Sequence, residues 1–353
     1  MLKFRLFLLL FALVLTGAGC FGFGADNTAN SDGGVFKSTS AGDVWTQVSA
    51  VPGPKGVGTI GGRSITVMEM DPQDHEMIYI GTRASGLLYS EDGGASWRQP
   101  KATNLKTGEI SDIEVDPKDV CTVYIAKGPR LYKSDNCLRD LDDETYVETR
   151  SKVTLRQVVV DWFNPKVVWL ALSNGDILKS TDGGDTWRTM VSAENDITAL
   201  IISNTDSRIL LAGTDQNGFF KTTDGGKNWV QIEKELKDYR NANRVYGLTQ
   251  DEKSSAVIAA TKFGLLRSPD FGNSWTPIEL LTAAGQVTIK ALSVDPKDAG
   301  KIYYAALNTL YSTKDGGVTW TTHQIPTTKI PEVLLIDPTN TSVLYVGVAA
   351  PVK

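Results

Sequence analysis

The stretch Lys179-Ser180-Thr181-Asp182-Gly183-Gly184-Asp185-Thr186-Trp187 recurs in near copies along a chain of 353 residues. Written as Ser/Thr-x-Asp-x-Gly-x-x-Trp, the pattern is matched in full by copies ending at Trp97, Trp187, Trp229, Trp275 and Trp320. Two copies are degenerate. Ser38 to Trp45 keeps the serine, one glycine and the tryptophan, and Ser134-Asp135-Asn136-Cys137 opens a copy whose tryptophan position is Leu141. Successive copies lie 42 to 52 residues apart, the length of one four-stranded unit in a radial array.

The chemistry of the motif is that of a tight hairpin. Asp92, Asp182, Asp224, Asp270 and Asp315 supply short side chains that accept backbone N–H bonds, and the glycines that follow tolerate positive φ. The tryptophan opens the next strand with a large apolar surface. A short apolar strand precedes each turn, as in Leu87-Leu88-Tyr89 and Ile177-Leu178. Upstream lies a second hairpin: Ile65 to Met70 leads through Asp71-Pro72 to Met77–Ile80, and Ile110 to Val115 leads through Asp116-Pro117 to Val123–Ile125. Asp295-Pro296 with Ile302–Tyr304 repeats the order. Proline cannot continue a central ladder, so it marks a bend, and each repeat reads as four strands.

The first repeat lacks its upstream half, and Val333–Ile336 with Val343–Val346 form two strands with no turn motif after them. These C-terminal strands are expected to join Val35–Ser38 and Val44–Val48 in one blade. That closes a ring and removes the exposed edges of an open array. The fold class is all-β: a seven-bladed β-propeller of four-stranded antiparallel blades.

On these residues the chain, from Val35 to its C-terminus, resembles the Asp-box (BNR) repeats of bacterial neuraminidases. The overall pattern is similar to sortilin-like and photosystem II assembly-factor-like propellers. The resemblance implies that the motif is a peripheral structural turn, common to enzymes and non-enzymes, and that ligands bind on the opposite face. There the fourth strand of one blade leads into the first of the next, at Pro52 to Arg63, Gln99 to Glu109, Glu148 to Arg156, Ile232 to Arg244 and Thr276 to Val287. Aligning the innermost strands on the aspartate that ends them, with Ser203 in its place once, gives a polar column: Thr66, Ser111, Arg156, Thr198, Tyr246, Lys290 and Glu332. Two residues on, the column is apolar: Met68, Ile113, Val158, Leu200, Leu248, Leu292 and Leu334. Arg156, Tyr246, Lys290 and Glu332 are therefore candidates for binding a polar or anionic group, with mutual charge satisfaction around a channel as the other reading. A sialidase would require an arginine triad, a tyrosine–glutamate pair, an aspartic acid and an Arg-Ile-Pro-like segment, and no residue-by-residue match is found. A glycosidase needs only two carboxylates, for which Asp112, Asp196 and Glu332 are available. Relatives of that kind that bind xyloglucan usually carry two propellers, and this chain reads as one.

Residues 1–19 read as an export signal, with Lys3 and Arg5 before the apolar run Leu6 to Leu15 and small residues before Cys20. The segment resembles a bacterial lipoprotein box, which implies a lipidated Cys20, although Gly17 stands where leucine is usual. Residues 20–34 read as a flexible linker and 35–353 as the propeller. The formal charge is −5, and −7 without Lys3 and Arg5, which disfavours nucleic acid as a partner. Cys121 and Cys137 flank a hairpin turning near Gly128-Pro129, and in an exported chain they are expected to form a disulfide rather than two free thiols. His75 and His323 fall in different repeats on no ligand spacing, so neither a metal nor a cofactor is expected. Together these features describe an exported, membrane-tethered, non-enzymatic binding or assembly module for a protein or glycan at the cell envelope. The alternative is a glycoside hydrolase of the sialidase-like or xyloglucanase-like propeller type.

Overall fold

A computed structural model describes residues 32–141, 144–283 and 285–350. The expected signal segment, Cys20 and all of the linker before Asp32 lie outside the described residues. Within them the chain forms a seven-bladed propeller. Blade 1 is built from Ile65–Met70, Ile78–Thr82 and Leu87–Ser90, and blades 2 to 6 occupy residues 112–147, 155–192, 197–232, 245–277 and 291–324. Blade 7 is composite. Its order from the rim inward is Thr46–Gln47, Gly34–Ser38, Leu344–Ala349, Ile330–Ile336. The closing ladder pairs Gly34 with Val348 through to Ser38 with Leu344, antiparallel.

The second strands Ile78–Thr82, Val168–Leu172, Leu210–Thr214 and Val257–Thr261 are buried at every residue. A neighbouring blade covers each of their faces, so they read as continuous apolar runs instead of alternating ones. Buried apolar side chains collect accordingly in seven clusters, one at each seam between blades. The seam between blades 7 and 1 holds Val35, Ile65, Met68, Trp97 and Tyr345.

Each motif is a self-satisfied turn. Ser180 Oγ accepts the Gly184 N–H at 2.9 Å and donates to Asp182, whose carboxylate also accepts the Thr186 N–H and hydroxyl. The same set recurs around Asp92, Asp224, Asp270 and Asp315, so these oxygens are spent on the turn. Two consecutive residues take positive φ in every copy. In the degenerate copy that opens at Ser134 those residues are Cys137 (φ 59°) and Leu138 (φ 61°), where the copy at Ser180 has Gly183 (φ 82°) and Gly184 (φ 103°). Cys137 is bonded to Cys121, which fixes the backbone where glycine is missing.

The turns also latch blade to blade. Lys37, Lys133 and Lys179 each reach across a seam to donate to the carbonyl of Gly93, Gly183 and Gly225 in the next blade, at 2.8, 3.2 and 2.9 Å. The same ammonium groups lie over Tyr345, Tyr124 and Trp169 in their own blades. The Trp97 indole donates back to Val48 O, and that of Trp320 to Glu279 O. Both histidines brace the composite blade: His75 contacts Asp337 at 2.9 Å and His323 contacts Asp43 at 3.2 Å.

Two details differ from the sequence reading. The segment Pro52 to Arg63, expected as an irregular loop, contains an added hairpin, Ala50–Gly53 with Gly56–Thr59. The Trp97 N–H bonds to Ala50 O in this hairpin, which leaves blade 1 a three-stranded sheet with only a Tyr89–Arg98 bridge in place of a fourth strand. Gly34, read from the sequence as the last linker residue, is instead the first residue of a strand. Asp32 O accepts the Thr327 hydroxyl, Gly33 O accepts the Gln47 amide, and the strand begins at Gly34.

Adjacent glycines test the seam. At Gly225 (φ +73°) a new Cβ would meet nothing closer than Lys179 Nζ at 3.7 Å, whereas at Gly226 (φ +85°) it would lie 2.4 Å from Trp169 Cη2. Gly225→Ala should cost about 1–2 kcal/mol of backbone strain, and Gly226→Ala about 2–5 kcal/mol because the tryptophan must move as well. Equal losses in urea unfolding would contradict the account of the seam. Replacing both Cys121 and Cys137 by serine should remove roughly 3 kcal/mol, the loop-entropy value for a span of 16 residues. An unchanged unfolding midpoint would show that the bridge does not restrain the degenerate turn.

Candidate functional site

On the face opposite the motif turns the inner strands open into a cavity of about 420 Å³. Thr66, Ser111, Arg156, Thr198, Tyr246, Lys290 and Glu332, one from each blade, all line it. The geometry follows from the repeat: the innermost strands run side by side, and equivalent positions stand at one height. Arg83, Glu109 and Asp196 complete the charged lining. Arg83 comes from the turn between two strands of blade 1, and Asp196 precedes the inner strand of blade 4, so neither falls in the aligned column. Asp196 is legible in sequence only as a carboxylate near a strand start, and Glu109 carries no periodic signal.

Five of the six lining charges meet an opposite charge across a seam, and Glu109 is exposed. Arg156 holds Asp196 in a fork, Nε to Oδ1 at 2.8 Å and Nη2 to Oδ2 at 2.6 Å. Lys290 Nζ donates to Glu332 Oε2 at 2.7 Å, and Arg83 approaches the other oxygen at 4.0 Å. Burial raises the Asp196 pKa against the opposing pull of Arg156. Thr66 and Ser111 donate to the carbonyls of Ile110 and Ala126. Thr198 Oγ1 is buried without a partner, and among the described residues the half-buried Tyr246 makes no hydrogen bond. Three cations against three carboxylates leave no net attraction for an anion, so the lining suits a neutral polar ligand with hydroxyls to share.

Asp112 does not belong to this cavity. It lies further along the inner strand of blade 2 and accepts the Val158 N–H of blade 3 at 2.8 Å, while Glu114 accepts the Val160 N–H at 3.0 Å. Gln157 repeats the bond to Leu200 N–H one seam on. These side chains cap backbone donors that have no ladder partner. Desolvation pushes both carboxyl pKa values up to about 8, and it raises neighbouring Glu69 well above the usual carboxylate range. Among the described residues no group of three His, Cys, Asp or Glu side chains is arranged to hold a metal ion.

No family model matches the chain. A probable oligoxyloglucan-reducing end-specific xyloglucanase of Neosartorya fischeri is 23% identical over 333 residues, covering 75% of this chain and 41% of that protein. The chain spans less than half the length of the curated relatives it matches, all of them xyloglucanases. The GH74 xyloglucanase structure from Xanthomonas campestris superposes with a TM-score of 0.68 at 17% identity, over 81% of this chain and 51% of that one. YCF48 bound to D1 peptide superposes with a TM-score of 0.63 at 13% identity, over 82% of this chain and 94% of that one. The structural likenesses are likenesses of fold.

The carboxyls between the inner strands set a pH dependence. The folded protein retains their protons up to about pH 8, whereas the unfolded chain releases them near pH 4. The folded state therefore binds more protons across that window, and its stability falls as pH rises through it. Asp112→Asn keeps an acceptor for the Val158 N–H and removes one titration. The variant should match the parent at pH 4 and exceed it at pH 8 by on the order of 1–2 kcal/mol. The same difference at both pH values in urea unfolding would refute the assignment.

Proposed function

We propose that this propeller recognises a neutral, polyhydroxylated glycan at its mouth. The observation that carries the reading is the convergence of all seven aligned inner-strand residues on one polar cavity, with Arg156 paired to Asp196, Lys290 paired to Glu332 and the half-buried Tyr246 hydroxyl left for a ligand. The curated relatives are named for action on xyloglucan, which supports a β-glucan as the ligand class. Export and tethering through Cys20 at the cell envelope belong to the same proposal.

Hydrolysis of that glycan is the second reading. It is favoured by the hydrolase names of the curated relatives and by the three carboxylates, Glu109, Asp196 and Glu332, that share the cavity. Asp196 and Glu332 are both held by cations, so acid–base work would require ligand binding to loosen one of those pairs.

Calorimetry with xyloglucan oligosaccharides, run beside an assay for new reducing ends, tests both readings. Binding without turnover is expected, and Tyr246→Phe should weaken it about 5–10-fold by removing one neutral hydrogen bond. Reducing ends that appear with the parent and vanish with Asp196→Asn would establish the hydrolase. Failure to bind any glycan, with capture of an extended peptide at the mouth, would replace the glycan reading with that of a protein-assembly module.

A further inference from the structure

A second cavity, of about 360 Å³, opens beside the rim segment 233–244 and shares no lining residue with the mouth. Three amides in its lining are fixed in one way. Asn217 Nδ2 donates to Ala193 O at 3.0 Å, Gln231 Nε2 to Asn217 O at 2.9 Å and Asn243 Nδ2 to Gln216 O at 2.5 Å. Each spends one N–H on a backbone carbonyl. Among the described residues their side-chain oxygens receive no donor, so each is a held acceptor with one further N–H beside it.

The wall between them is equally fixed. Tyr239 packs against Phe263 with ring centroids 5.3 Å apart and donates to Trp275 O at 2.9 Å, while Leu236 and Ala242 of the same segment are buried in the core between blades 4 and 5. Gly218 lets the segment approach, since a Cβ there would meet Leu236 Cδ1 at 3.0 Å and Ile232 O at 3.1 Å. Convergent amides beside a held aromatic ring form a small polar site that is complete before a ligand arrives. The charged residues in its lining, Glu233, Lys237 and Arg240, are all exposed and of mixed sign. They select neither a cation nor an anion.

One backbone bond links the rim turn to a residue of the mouth. Asp215 N–H donates to Asp196 O at 3.0 Å, so the turn that carries Gln216 and Asn217 starts beside the mouth's own Asp196. We infer that the rim cavity is a second glycan subsite, which binds a neutral sugar unit through amide-to-hydroxyl hydrogen bonds while the same chain occupies the mouth. The inference takes its ligand class from the proposed function, but its residues are separate.

The test is calorimetric titration of the full chain with a xyloglucan heptasaccharide, with maltoheptaose as a neutral chain of different linkage. Gln231 is exposed on an outer strand, so Gln231→Ala removes a subsite amide with little risk to the fold. It should weaken heptasaccharide binding about 5–10-fold with an unchanged melting temperature. Combined with Tyr246→Phe at the mouth, the losses should multiply, as for separate contacts on one ligand. If Gln231→Ala and Asn243→Ala bind as the parent does while Tyr246→Phe weakens binding, the rim inference falls and the mouth reading stands. If the parent binds neither sugar at millimolar concentration, both fall. If rim variants alone weaken binding, the mouth reading falls and with it the shared occupancy, and the rim is a glycan site by itself.

Discussion

No blade of this ring buries its own faces. The apolar side chains lie in seven clusters between blades, so a single four-stranded sheet would expose both of its apolar sides to water. Every other feature answers that constraint. The composite blade exists because an open array would leave two faces and two edges uncovered. The lysine latches tie one blade's third strand to the next blade's turn at three of the seams.

Legibility in the sequence tracks how local the chemistry is. The motif turns could be read because a serine, an aspartate and two positive-φ residues solve the turn within eight positions, and the structure returns the same bonds in each copy. Ring closure could be read from two half-repeats. The pairing of Cys121 with Cys137 followed from hairpin geometry, but its purpose did not: the bridge falls where Cys137 and Leu138 replace glycines. The hairpin Ala50–Thr59 was not legible. Its glycines and prolines read as loop, and its capture of Trp97 is a contact across nearly fifty residues.

The mouth was partly legible for the same reason. Residues on the inner strands repeat with the period of the fold, so alignment alone collects Arg156, Tyr246, Lys290 and Glu332 with the other three. Lys290 and Glu332 pair within the column, but the other partners do not repeat. Arg83 and Asp196 enter from strand ends in other registers, and they supply the counter-charges that the column alone does not show. The rim cavity is less legible still, since Asn217, Gln231 and Asn243 come from a hairpin turn, an outer strand and a rim segment, and they follow no common period.

The composite blade also orders events in time. Gly34–Ser38 pairs locally with Thr46–Gln47 but finds its second ladder partner only at Leu344–Ala349, a pairing across almost the whole described chain, whereas every other blade pairs strands from one contiguous stretch. As the nascent polypeptide emerges, blades 1 to 6 can assemble in sequence while the first strand waits with one edge uncovered. The last step to native structure is thus the slowest kind of contact to form, one of very high contact order, and the partly closed ring that precedes it is the species most exposed to misassociation.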